Sequence, residues 1–220
     1  LGIRYQGKAK FKGEYLLAKP GAFHSLEESA YFLYQPGHSI AADESTEVLA
    51  TYGHPYFDRS PEHFSSHKQT PMGMRSGEPV ITLHGKVAYI ANPIFRSYAQ
   101  DGVGAYKLIV GDLLGRLLEK PSVVAPGLPS TAQVTLLAQS EPQRHVAHVL
   151  YYPMTRRAPD IDIIEEPGVL LDQELRVKLG RAPKRVTLAP QNIPIPFRFE
   201  DGYAVCRLGR VIGHQAVCFE

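Results

Sequence analysis

The chain has no tryptophan and only two cysteines, Cys206 and Cys218, among its 220 residues. Two isolated cysteines exclude a disulfide scaffold, and no CxxC pair supplies zinc ligands. No apolar run approaches the roughly 18–20 residues that a membrane-spanning helix needs. Neither sign of charge dominates: 24 Lys and Arg face 22 Asp and Glu, for a net +2. That balance provides no electrostatic footprint for nucleic acid or an anionic membrane, so neither is expected as a partner. There is no GxSxG, hence no nucleophile elbow of the serine-hydrolase kind. The lack of tryptophan weighs against a glycan-binding module, whose sugar platforms commonly use one. What is present is ordinary: 44% hydrophobic and 21% charged residues exclude a disordered tail. The length suits one large domain or two small ones.

The chain opens on Leu1-Gly2-Ile3-Arg4-Tyr5, with neither an initiator methionine nor a signal-like apolar stretch. The expectation is a piece of a longer polypeptide, cytoplasmic unless a leader lies upstream. Residues 1–79 are weakly periodic, with short strands expected at Tyr31–Tyr34 and Glu47–Ala50. The polar stretch 56–76, broken by Pro61, Pro71 and Gly73, reads as a long loop, and loops of that length are usually functional or mobile. Val80–Leu83 and Val87–Ile90 flank His84-Gly85-Lys86 and predict a hairpin. Tyr106, Ile109, Val110, Leu113, Leu114, Leu117 and Leu118 recur at three- and four-residue spacing and predict a helix over 104–118. Lys120-Pro121 ends it. Beyond 121 alternation takes over, as in Leu175, Val177 and Leu179 against Glu174, Arg176 and Lys178. Seven or eight short strands predict an all-β, sandwich-like domain over 121–220.

Few residue groups carry chemistry. His63 and His67 lie four apart, a spacing that can share a metal on a helix. The preceding Glu62 does not form HExxH, and no further ligand cluster follows, so a polar loop or a ligand or subunit contact is the stronger reading. Asp58, Arg59 and Glu62 suit sugar hydroxyls or anions, with an ordinary surface ion pair the stronger reading. Asp160, Asp162, Glu165 and Glu166 could in principle form a glycosidase pair, but they read as a solvated acidic loop. Gly102-Val103-Gly104 lacks the third glycine of a dinucleotide fingerprint. Cys206 and Cys218 fall on expected strands, not on a strand-to-helix turn, and read as small core residues. His145 and His148 are out of phase on one strand and share no expected role. His214 reads as a buried, hydrogen-bonded histidine. No metal and no cofactor is expected.

Several runs carry a family resemblance: Glu62-His63-Phe64-Ser65-Ser66-His67-Lys68-Gln69-Thr70-Pro71, Tyr89-Ile90-Ala91-Asn92-Pro93-Ile94-Phe95-Arg96-Ser97-Tyr98, Leu128-Pro129-Ser130-Thr131-Ala132-Gln133-Val134 and Gly213-His214-Gln215. Together the chain resembles the C-terminal region of bacterial β-galactosidase-like glycoside hydrolases that carry a trimerisation domain. The resemblance implies an upstream (β/α)₈ barrel with both catalytic carboxylates, so no catalytic residue carries over. It implies that residues 1–120 are the later part of an α/β, flavodoxin- or glutamine-amidotransferase-like trimerisation domain, and that 121–220 form a terminal β domain. The chain itself is then expected to be non-catalytic, to self-associate as a homotrimer in the full-length protein, and to meet carbohydrate through the upstream domain. Within it, Arg59, His63, Phe64 and His67 are the candidate substrate contacts, with Phe64 as an apolar platform and the others as donors to sugar hydroxyls. Two rival expectations are a carbohydrate-binding module using Tyr151, Tyr152 or Tyr203, and a degenerate class I glutamine amidotransferase-like protein.

Overall fold

The computed structural model describes residues 1–220, and the chain divides into two compact units, Leu1–Glu119 and Lys120–Glu220.

The first unit begins with β1 (Ile3–Lys8), β2 (Glu14–Ala18), β3 (Ala30–Leu33), β4 (His38–Ala42), β5 (Glu47–Pro55), β6 (Met72–His84) and β7 (Val87–Ile90). Two helices follow, α1 (Ile94–Asp101) and α2 (Gly104–Leu117). The strands form a five-stranded sheet in the order β3-β2-β5-β6-β7 and a separate pair, β1-β4. Every pairing is antiparallel. The β6–β7 turn is the two-residue Gly85-Lys86, with His84 opposite Val87. Gly85 sits at φ 58, as the first position of a mirror-image hairpin turn requires.

Side chains alternate across the sheet. Leu16, Leu33, Leu49, Tyr52 and Ile81 point to one face and pack with Ile94, Tyr106, Ile109 and Leu113 of the helices. The Tyr106 hydroxyl donates to the Phe32 carbonyl at 2.6 Å, which ties α2 to β3. Tyr15, Leu17 and Phe32 form a second cluster on the opposite face.

The second unit holds β8 (Val123–Val124), β9 (Ala132–Ser140), β10 (Gln143–Tyr151), β11 (Thr155–Ala158), β12 (Ile161–Ile163), β13 (Val169–Lys178), β14 (Val186–Ala189), β15 (Ile193–Pro194), β16 (Phe197–Glu200), β17 (Tyr203–Ile212) and β18 (His214–Phe219). One sheet runs β15-β14-β18-β10-β9, another β16-β17-β13-β8, and β11-β12 is a small hairpin. Ala147, Val149, Val217 and Phe219 from the first meet Leu175, Val177, Ala204, Cys206 and Leu208 from the second in a shared core. Both faces of that core come from period-two alternation.

The expected α/β portion is overturned. Strand makes up 50% of the chain and helix 10%, and residues 1–119 are an antiparallel sheet followed by two consecutive helices. A flavodoxin- or amidotransferase-like domain needs parallel strands, each pair bridged by a crossover helix. Here helices do not alternate with strands, and α2 packs on an antiparallel sheet. The degenerate-amidotransferase reading falls with that fold.

Residues 1–79 also contain more strand than their periodicity suggests. β2 is buried on both faces from Glu14 to Leu17, so it shows no alternation of polar and apolar residues. β6 includes Gly73, Gly77 and Pro79, tolerated because its register with β5 shifts four times. Such bulges accommodate residues that an unbroken ladder rejects.

Truncating Ile109, fully buried on α2, to alanine is expected to cost about 2–5 kcal/mol. Leu114→Ala, on the exposed side of the same helix, is expected to change stability by no more than about 0.5 kcal/mol. Urea titration followed by far-UV circular dichroism measures both.

Candidate functional site

The connection between β5 and β6, residues 56–71, contains all four candidate contacts. Its base is closed by the Tyr56 N–H donating to the Pro71 carbonyl at 3.1 Å. The Tyr15 hydroxyl donates to the Thr70 carbonyl at 2.6 Å and receives a bond from the Gln69 amide at 3.2 Å. At the other end the Lys12 N–H donates to Asp58 Oδ1 at 2.8 Å. Both anchors come from β2 or the residues just before it, so the sheet fixes the ends of the loop.

Between these anchors the loop is short-range turn structure. The Ser60 hydroxyl receives the His63 N–H at 3.1 Å and donates to Glu62 Oε2 at 2.9 Å. Glu62's own backbone N–H, and after it the Ser60 hydroxyl, hold its carboxyl below the ordinary range. The Ser65 hydroxyl donates to the His67 carbonyl at 2.5 Å.

The candidate residues are all exposed. Phe64 is 70% accessible, with the Arg59 guanidinium 5.2 Å from its ring centroid. The His63 ring lies against Phe57, 5.7 Å between centroids. His63 and His67 sit on no helix, so their four-residue spacing does not aim both imidazoles at one point. Asp58, Arg59 and Glu62 likewise do not form one cluster, because each has a different contact. The structure thus brings Arg59 and Phe64 together and sets the His63 ring against Phe57.

Beneath the loop is a pocket of about 180 Å³ lined by Lys12, Gly13, Phe32, Tyr34, Asp58, Arg59, Lys68 and Thr70. Phe32 and Tyr34 meet edge to face, 4.9 Å between centroids. Gly13 is required here: a Cβ would stand 2.5 Å from the Phe32 ring. Of these, Asp58 and Arg59 stand out in the sequence as a candidate cluster and Lys68 and Thr70 lie in the run 62–71, whereas Lys12, Gly13, Phe32 and Tyr34 carry no such local mark. Lys8, Lys10 and Lys12, which alternate just before β2, are the one signal that a cationic surface lies there.

A second group is buried on the core side of the same sheet. Glu14 and His54, 3% and 7% accessible, meet across β2 and β5, with Glu14 Oε1 3.0 Å from His54 Nδ1. Glu78 Oε1 lies 4.0 Å from His54 Nε2, and Phe11 packs on the imidazole. Glu14 Oε2 has no hydrogen-bond partner. Burial, and after it the charges of Glu78 and Asp58, push the Glu14 carboxyl up to about 7. No local pattern in the sequence marks this pair, whose partners are 40 residues apart.

In the second unit, Asp162 pairs with Arg156 at 2.7 Å and Glu165 with Arg157, so two of the four acidic-loop carboxylates are engaged by arginines. Cys206 and Cys218 are free and buried. Burial, with Glu174 a smaller contributor, pushes the Cys206 thiol up to about 12, far from a reactive thiolate. Of the three tyrosines, Tyr203 is committed to the Pro121 carbonyl at 2.8 Å, and Tyr152 is 41% accessible. His214 is exposed, not buried, and its Nε2 lies 3.0 Å from His148 Nδ1.

Over its whole length the chain is similar to part of a solved structure, alpha-L-fucosidase isoenzyme 2 from Paenibacillus thiaminolyticus. The TM-score is 0.91 at 30% identity, covering 100% of this chain and 33% of that one. The chain therefore spans about a third of the length of that glycoside hydrolase. No protein-family model matches the chain, and no curated protein sequence does.

The Glu14 carboxyl gives a signed expectation. Between its unfolded value near 4.5 and its folded value of about 7, the folded chain holds a proton that the unfolded chain has released. Stability therefore falls as pH rises across that window, by at most about 3 kcal/mol. Denaturant titrations from pH 4.5 to 7.5 are expected to show the decline, and Glu14→Gln to flatten it.

Proposed function

We propose that these residues form an accessory, non-catalytic region of a glycoside hydrolase, with the bond-breaking carboxylates in a different part of the parent protein. The observation that carries this is the match of the entire chain to one third of a hydrolase chain. Two further features support it. The cysteines are buried core residues, and the acidic segment 160–166 is partly tied up by arginines on a small exposed hairpin. The β-galactosidase-like resemblance and the match to a fucosidase agree at the level of glycoside cleavage and differ in the sugar. The substrate class is accordingly a glycoside without further specification.

The role within the parent protein is assembly. A homotrimer closes with three identical heterologous contacts, and in this reading the 56–71 loop of one copy walls the sugar cleft of its neighbour. The loop's construction supports this: its ends are pinned by hydrogen bonds to each other, to Tyr15 and to the Lys12 backbone, while Arg59, His63, Phe64 and His67 are exposed. Phe64 offers an apolar face to a sugar ring, and the polar side chains offer donors to its hydroxyls.

In the intact hydrolase, Phe64→Ala and the double change His63→Ala/His67→Ala are expected to raise KM about tenfold, equivalent to about 1.4 kcal/mol of lost binding. Light scattering on the same samples should show an unchanged oligomer. Unaltered kinetics in an unaltered oligomer would remove the loop from the substrate site. Glycoside turnover by the 220-residue chain alone would overturn the non-catalytic reading.

A further inference from the structure

The pocket beneath the loop has an unusual charge balance for a chain of net +2. Three of its lining residues, Lys12, Arg59 and Lys68, are cationic, and one, Asp58, is anionic. Asp58 already receives the Lys12 backbone N–H on Oδ1. Elsewhere the arginines largely face carboxylates: Arg116 with Glu47, Arg156 with Asp162, Arg176 with Glu174 and Arg207 with Asp172. Lys12, Arg59 and Lys68 make no such pair with Asp58 or any other carboxylate. They line a cavity together with Asp58, Gly13, Thr70 and the edge-to-face pair Phe32 and Tyr34.

We propose that this pocket binds a sugar ring carrying an acidic group, a carboxylate or a sulfate. This rests on the reading of the 56–71 loop as a carbohydrate contact and adds the ligand's class. The guanidinium of Arg59 offers a planar fork that matches two oxygens of one acid group. The two lysines act as point charges that raise the local concentration of anions. The half-buried Tyr34, backed by the buried Phe32, supplies the apolar surface for the C–H face of the ring. At about 180 Å³ the cavity is a one-ring site. Arg59 also lies 5.2 Å from the exposed ring of Phe64. A saccharide seated by its acidic ring in the pocket would therefore present its next ring to Phe64. The pocket is framed by fixed atoms: the backbone at Gly13 closes against Phe32, and Thr70 is buried and held through its carbonyl by Tyr15.

The test titrates the full 220-residue chain, labelled with ¹⁵N, with glucuronate, glucose 6-sulfate, glucose and inorganic sulfate. Either charged sugar is expected to shift the amides of Gly13, Asp58 and Thr70, and to bind at least about tenfold tighter than glucose. Raising the salt should weaken it, because the lysines and arginine are solvent-reachable. Arg59→Gln and Lys68→Gln should each weaken charged-sugar binding several-fold, whereas Lys107→Gln on α2 should not. Glucose binding as tightly as glucuronate would overturn the acidic specificity while leaving the loop a carbohydrate contact. Sulfate alone binding as tightly as the charged sugars would overturn the sugar component. Binding by none of the four probes would overturn the pocket as a site, and the kinetic test of Phe64 in the intact hydrolase would still judge the loop independently.

Discussion

Strand β2 is buried on both faces, and the placement of everything of chemical interest in the first unit follows from that. Leu16 points into the core shared with α1 and α2, while Tyr15 and Leu17 point to the opposite face. An antiparallel strand with one solvated face can be anchored by core packing alone. One covered on both faces also needs something to lie against its second side. Here the Tyr15 hydroxyl holds the Thr70 carbonyl, and the residue two before β2, Lys12, holds Asp58. The loop is thus held at its two ends by β2 and the residue two before it. Its middle carries exposed side chains without strong tertiary commitments.

The same strand places a carboxylate where it is costly. Glu14 faces the core side next to His54, and its second oxygen has no partner. A buried carboxylate is tolerable when it holds a proton or shares one with a base. Burial favours the protonated Glu14 carboxyl, which meets His54 Nδ1 with Glu78 near the far ring nitrogen. The two faces of β2 therefore carry different electrostatics. The core side holds the buried Glu14 and His54 with little access to water, and the outer side presents the cations Lys12, Arg59 and Lys68 around the half-buried Tyr34.

How far this was legible varied with the range of the interaction that makes each element. The helix Gly104–Leu117 and the hairpin around Gly85-Lys86 come from local signals: a stripe of Tyr106, Ile109 and Leu113, and a glycine with positive φ. The alternation of Leu175, Val177 and Leu179 likewise reports one face of a sheet. The long β6 strand hid behind Gly73, Gly77 and Pro79, whose tolerance depends on bulges in a partner strand some 25 residues away. The α/β expectation for residues 1–120 came from a family resemblance together with one clear helix. It failed because helix content and strand direction are separate matters. The direction of a strand is set by its partner and by the length of its connection, and no residue type announces it.

Taken alone, the amino-acid order determined the local elements, the lack of nucleophile and membrane-span patterns, and the position of a long polar segment between two apolar runs. Those properties depend on neighbours within a few residues, whose side chains meet whatever the rest of the chain does. Tertiary structure decided that the sheets are antiparallel, that Glu14 and His54 meet in the interior, and that Lys12 joins Arg59 and Lys68 around Phe32 and Tyr34. These contacts join positions tens of residues apart. They exist only once strand pairing brings those positions together, and strand pairing is a property of the whole sheet.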